Sequence, residues 1–295
     1  MGYKKTSAAL MAGMIFAGWI LAGCGWIPGP SVRIDTQSPA AKTTPSGQTP
    51  ITYPTAMASW NPSSVDSGWE SIRRGLERRK ITLQDAALNP LEELLILRID
   101  PDWFSLDAAY DPEGKGLEEW QSATGAEVVV NGGYFRRENE TFLPAGLMVV
   151  GGKAIGSSYG SFAGMLAIRS TGPELRWLKT KPYDPQEPLT AALQSFPILI
   201  KPGGQIGFPE ESEDNIQARR TVVAQDSSGK MVFLVSSLGY FTLRQLSVYL
   251  FDSDLGLDIA MNLDGGPSSG MLVNDPREII PAQTLLPIVV TVFPK

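Results

Sequence analysis

No histidine and a single cysteine occur among the 295 residues, and these two shortages exclude whole classes of chemistry. Without imidazole there is no Ser-His-Asp triad, no Cys-His pair, no histidine general base and no His-ligated zinc. One cysteine forms neither an internal disulfide nor a thiolate cluster. Chemistry therefore falls to carboxylates, Arg, Lys, Tyr, hydroxyls and backbone amides. The rest of the composition is ordinary, with 43% apolar and 19% charged residues. That is enough to bury a sizeable core and too apolar for a disordered chain.

At the N-terminus, Lys4 and Lys5 precede an uncharged stretch from Ala8 to Ala22, which closes on Leu21-Ala22-Gly23-Cys24. A basic start and a short apolar run predict a secretory signal over residues 1–23, too short for a comfortable membrane span. The Leu-Ala-Gly-Cys ending resembles a bacterial lipobox, which implies cleavage before Cys24 and lipid on its sulfur. An uncleaved anchor is the other reading. Either way the expected location is outside the cytoplasm and tethered to a bacterial membrane, at the outer membrane or cell surface, with Gly25 favouring the outer membrane in a Gram-negative host. Loss of residues 1–23 removes Lys4 and Lys5 and no acid, taking the formal charge from −6 to −8. So acidic a body argues against nucleic acid as a partner.

Residues 24–62 are rich in Pro, Ser and Thr and carry no apolar period, which predicts a linker. From 63 to 295 the pattern predicts one α+β domain, dominated by mixed β-sheet with a few helices. Trp69, Ile72 and Leu76 follow helical spacing, with Arg73, Arg74, Arg78, Arg79 and Lys80 on the other, solvated faces. Further helices are expected over 117–124 and after a Thr242 cap, where Leu243, Leu246 and Leu250 share a face. Strands are expected at 94–99, 127–130, 165–168, 191–200, 259–263, 271–273 and 286–293. Two hairpins join them, one turning at Gly151-Gly152 and one linking 221–225 to 231–235 through Asp226-Ser227-Ser228-Gly229.

Two stretches match the G-x-S-x-G nucleophile elbow, Gly156 to Gly160 and Gly266 to Gly270, but a serine here has no histidine to activate it. Three other motifs carry more. Asn131-Gly132-Gly133-Tyr134-Phe135 follows an apolar strand, where a polar side chain projects from a rigid base, although Asn-Gly is also the commonest hairpin turn. Asn262-Leu263-Asp264-Gly265-Gly266-Pro267-Ser268-Ser269 repeats the device and adds a carboxylate able to act as base, nucleophile or oxygen ligand. Arg219-Arg220-Thr221 opens a strand with guanidinium forks suited to phosphate or to a nearby carboxylate.

In this order the three motifs resemble the phosphodiester glycosidase family, a likeness running from about Leu94 to the C-terminus and including Gln194-Ser195-Phe196-Pro197. Val222-Val223-Ala224 and Pro267 depart from the family's usual small residues. The resemblance implies hydrolysis of a sugar-1-phosphodiester in a glycan, releasing a sugar and a phosphomonoester. It casts Asp264 as nucleophile, base or oxocarbenium stabiliser and Arg220 as the group neutralising developing negative charge. Asn131 and Asn262 would bind sugar hydroxyls or orient Asp264. The amides of Gly132, Gly133, Gly265 and Gly266, with Tyr134, Thr221, Ser268 and Ser269, would surround the substrate. Asp100, Glu138 and Asp252 are candidates for a second carboxylate. No cofactor is required, and a metal, if present, would be calcium or magnesium on oxygen ligands. Two alternatives remain: a metal-assisted phosphodiesterase breaking the phosphorus-oxygen bond, and a non-catalytic envelope lipoprotein that binds polysaccharide or peptidoglycan.

Overall fold

Short runs of Val, Ile and Leu, punctuated by Gly, Asn and Asp, build four sheets in the computed structural model, which describes residues 62–158, 164–213 and 215–295. The expected leader, Cys24 and the linker up to residue 61 lie outside the described residues. The described residues fall within one compact unit, Met57–Lys295.

The large sheet has nine strands in the order Ser63–Asp66, Leu76–Gln84, Pro90–Ile99, Met231–Ser236, Thr221–Asp226, Leu257–Asn262, Ile198–Lys201 and Gln205–Ile206, with Glu70–Arg73 added beside Leu76–Gln84. A second sheet of five runs Glu278–Ile280, Met271–Val273, Val128–Asn131, Leu286–Pro294 and Phe104–Lys115. A third, also of five, runs Lys153–Ile155, Met148–Val150, Ala191–Ser195, Gly164–Arg169 and Gly172–Trp177. Phe135–Glu138 and Thr141–Pro144 form a separate hairpin. Every strand pair among the described residues is antiparallel, so the expectation of mixed sheet is corrected. The physical reason is connection: parallel neighbours need long crossovers, and the described chain has only two α-helices. The fold is sheet-dominated, with α+β describing it in outline.

The main core lies where the inner faces of the three larger sheets meet, among Leu97, Val223 and Phe233, Val128, Val130 and Val290, and Leu166 and Leu193. The helix Leu243–Asp252 covers the outer face of the large sheet, laying Leu246 and Leu250 beside Val222 and Val232. It starts at a capping box: Gln245 N donates to Thr242 Oγ1 at 3.1 Å while Thr242 N donates to Gln245 Oε1 at 3.0 Å. The helix Leu117–Thr124 covers the second sheet with Leu117 and Trp120.

Two expected elements are corrected. The region from Trp69 is not a helix but two strands, Glu70–Arg73 and Leu76–Gln84, turning through Gly75 at φ +80°. Three apolar residues at helical spacing are outweighed by the alternation that buries Arg79, Ile81 and Leu83 on one face, while Leu76 packs into the main core on the other. Arg78 and Arg79 are paired rather than solvated, Arg78 with Glu70 and Glu278 and Arg79 with Asp66 and Asp254, while Arg74 is exposed and lies over the Trp103 ring. The run 191–200 is likewise two strands, Ala191–Ser195 and Ile198–Lys201, in different sheets. Pro197 has no amide hydrogen with which to continue a ladder.

Candidate active site

Three strand ends from two sheets meet at one place. Asn131 ends Val128–Asn131, Thr221 begins Thr221–Asp226, and Asn262 ends Leu257–Asn262. Asn131 Nδ2 donates to Asp264 O at 2.8 Å, and Asn131 Oδ1 accepts from Thr221 Oγ1 at 2.7 Å and from Gly270 N at 3.0 Å. Backbone bonds close the figure: Asp264 N to Gly132 O at 3.0 Å and Leu263 N to Thr221 O at 2.8 Å. The three motifs, far apart in sequence, are thus one hydrogen-bonded unit. Asn131 is 1% exposed, so its amide is a clamp on the Asp264 backbone with nothing left to offer a sugar. Of the two roles expected for Asn131, orientation fits its surroundings and sugar contact does not. The Thr221 hydroxyl is spent in the same way.

Asn262, fully buried, donates from Nδ2 to Leu263 O at 2.6 Å, Tyr134 OH at 2.8 Å and Phe196 O at 3.3 Å. Its Oδ1 is buried without a partner. The Tyr134 ring stacks on Phe196, centroids 4.6 Å apart and planes inclined by 28°. Phe196 is 39% exposed, an aromatic surface held beside Asn262. In the sequence Phe196 stands within the Gln194-Ser195-Phe196-Pro197 motif but carries no expected site role; the signal available was an aromatic directly before the proline that splits two strands.

Asp264 is half-buried, and its Oδ1 accepts from Gly265 N at 2.9 Å. Burial pushes its pKa up, opposed by the Ser268 side chain and the Gly265 amide. Among the described residues it has no ion-pair partner. Arg220 is buried: its N donates to Ser236 Oγ at 2.8 Å, its Nε to Phe241 O at 3.2 Å and its Nη2 to Ile216 O at 2.6 Å. Its Cδ lies 4.0 Å from where a Cβ on Gly265 would stand. The stem of Arg220 therefore borders the Asp264–Gly265 turn, while the guanidinium is tied to carbonyls at 216 and 241.

The glycine amides were expected to face substrate, and three of the four are occupied by the protein. Gly132 N donates to Ile288 O at 2.8 Å, Gly265 N to Asp264 Oδ1, and Gly266 N to Arg219 O at 2.8 Å. Close packing accounts for the glycines instead. A Cβ on Gly132 would lie 2.4 Å from Ile288 Cγ2, and one on Gly133 2.8 Å from Gln194 O. Gly132→Ala should destabilise the protein by about 2 kcal/mol through overpacking and lower its melting temperature by about 5 °C, measured by calorimetry. An unchanged melting temperature would show that the two strands have room to separate. Ser268 and Ser269 are both buried; Ser268 turns toward Asp264, and Ser269 Oγ has no partner.

None of the three candidates for a second carboxylate joins this cluster. Asp100 follows Pro90–Ile99, and the Ile99–Met231 and Val222–Asn262 pairings put it at the opposite end of the large sheet. Glu138 lies at the exposed end of the Phe135–Glu138 strand, against Arg136. Asp252 lines a different hollow with Arg79 and Tyr249. Among the described residues no three Cys, Asp or Glu side chains gather as metal ligands, and no helix is long and apolar enough to cross a membrane.

Fold and site together define an antiparallel-sheet scaffold that presents one desolvated carboxyl, without imidazole, where three strand ends converge. A phosphodiester glycosidase family model matches residues 124–287, more than half of the chain and all three motifs, and the chain belongs to that family. Its fold is similar to that of the zebrafish N-acetylglucosamine-1-phosphodiester alpha-N-acetylglucosaminidase catalytic domain, auto-inhibited by its pro-peptide. That match has TM-score 0.59 at 19% identity and covers 79% of this chain and 88% of that one. An exported protein of Burkholderia pseudomallei matches with TM-score 0.59 at 11% identity, covering 80% of this chain and 97% of the other. A Synechocystis hypothetical protein matches with TM-score 0.50 at 13% identity, over 75% of this chain and 62% of that one. No curated protein matches the sequence.

Proposed function

We propose that the protein hydrolyses the glycosidic bond of a sugar-1-phosphodiester in a cell-envelope or extracellular glycan, from a lipid anchor on Cys24. The observation that supports this is the Asn131 clamp, which binds the Asp264 carbonyl and the Thr221 hydroxyl from one side chain and so holds the backbone of Asp264, the residue we read as the base, at a converging strand end. In the reaction the bond between the anomeric carbon and the phosphate oxygen breaks, and its electron pair leaves with the phosphate as a phosphomonoester. Water adds its oxygen to that carbon and gives a proton to Asp264. Phosphate departs as an anion without needing a proton, which suits a site with one carboxyl rather than the two usual in glycosidases. A carboxylate with a raised pKa is also a stronger base. Arg220 contributes a fixed positive charge on a stem that borders the turn carrying Asp264, and the Tyr134–Phe196 pair offers an apolar surface to a sugar face.

The test is release of free sugar from sugar-1-phosphodiesters by the full chain, followed across pH. Since Asp264 must be ionised to take a proton, kcat/KM should climb with pH through a midpoint above the ordinary aspartate value of 3.8 and then level off. A flat profile down to that value would remove Asp264 as the base.

A further inference from the structure

Every arginine on the large sheet's edge and on the third sheet has a carboxylate against it: Arg73, Arg78, Arg79 and Arg98, then Arg169 and Arg176. Arg219 has none. Its Nη2 donates to Pro281 O at 3.0 Å and its Nε is buried without an acceptor. Glu92 influences it from a distance, but the Glu92 oxygens are committed to backbone amides: Glu93 at 2.9 Å, Leu238 at 2.7 Å, Gly239 at 3.0 Å and Tyr240 at 2.8 Å. Burial lowers the Arg219 pKa, with Glu92 opposing the effect. A half-buried cation without a counter-ion is costly unless something negative completes it.

Its placement points to what that is. The Arg219 carbonyl accepts from Gly266 N at 2.8 Å, so Arg219 is bonded directly to the turn after Asp264. Its guanidinium reaches Pro281, and two residues further on Gln283 N donates to Pro267 O at 2.7 Å. The side chain therefore runs along the loop that carries Asp264. Alternation explains why Arg219 and Arg220 part company. Val223 faces the main core and Val222 the helix-covered face, so Arg219 goes with Thr221 toward the second sheet and Arg220 goes toward Phe241.

We propose that Arg219 is the residue that holds the phosphate of the substrate, with Arg220 as an anchored charge behind it. The proposal rests on the sugar-phosphodiester reading above and assigns its anion-recognising side chain. Arginine's planar fork matches phosphate oxygens, and a charged hydrogen bond lost from such a pair weakens binding by at least about tenfold.

The probe is inorganic phosphate, titrated calorimetrically into the full chain and tested as an inhibitor of sugar release. Wild type should bind phosphate saturably. Arg219→Gln should bind it at least about tenfold more weakly and raise KM more than it lowers kcat, at an unchanged melting temperature. Arg219→Lys, which keeps the charge and loses the fork, should fall between the two. Equal phosphate binding by wild type and Arg219→Gln, or no saturable binding by wild type, overturns the proposal. Arg219-dependent phosphate binding without release of sugar from any sugar-1-phosphodiester leaves the anion site standing and removes the glycosidase reading instead.

Discussion

Asp264→Asn should lose about 10²- to 10⁴-fold in turnover and at the same time unfold at a higher temperature at pH 7. Both effects come from the same burial. The folded protein holds the Asp264 proton more tightly than the unfolded chain does, because burial disfavours the carboxylate. Above the folded pKa the wild type is ionised in both states and bears the whole cost of desolvating that charge on folding. Below the ordinary value of 3.8 the side chain is neutral in both states, and the cost vanishes. The stability advantage of Asp264→Asn should therefore be full above the folded pKa, shrink as pH falls through it, and be gone below 3.8. The Gly265 amide keeps an acceptor, since an asparagine carbonyl can replace Oδ1. Denaturant melts at several pH values, run beside sugar-release assays, read out both halves. An inactive variant that is less stable than wild type at pH 7 would mean that the carboxylate is held by contacts stronger than its desolvation.

The second large effect belongs to Asn131. Asn131→Ala deletes the bonds to Asp264 O, Thr221 Oγ1 and Gly270 N together. It leaves the Asp264 carbonyl and the Gly270 amide without their partner in a buried place. Two orphaned backbone groups cost about 4 kcal/mol, which lowers the melting temperature by about 12 °C. Activity should fall by about 10²-fold, because the carboxyl is displaced although untouched. Thr221→Val removes one of the three bonds and should cost about 1 kcal/mol with most activity retained. If Asn131→Ala melts with wild type, the clamp has no energetic weight and the convergence of the motifs has another cause.

Local signals were legible and long-range ones were not. The helix Leu243–Asp252 was readable because its cap and its apolar stripe sit within a few residues of each other. The hairpin joining Thr221–Asp226 to Met231–Ser236 was readable for the same reason, since its turn lies between its strands. Asp264 stood out as a carboxylate at the end of an apolar run. The duty of Asn131 did not, because its partners lie 90, 133 and 139 residues away. The glycines misled in the same manner: only the assembled sheets bring Ile288 against Gly132 and Gln194 against Gly133. The strand Phe104–Lys115 escaped notice because it includes Asp111, Pro112 and Gly114, which an edge strand tolerates and a central one does not. Arg219 was hidden beside Arg220 because their difference lies in which face each side chain takes.

In the proposed reaction carbon, not phosphorus, is attacked, and the fate of one oxygen separates the two. When the full chain hydrolyses a sugar-1-phosphodiester in oxygen-18 water, mass spectrometry should find the label on the anomeric carbon of the released sugar and none in the phosphomonoester. Label in the phosphomonoester, with the sugar unlabelled at that carbon, would contradict the account and make the protein a phosphodiesterase.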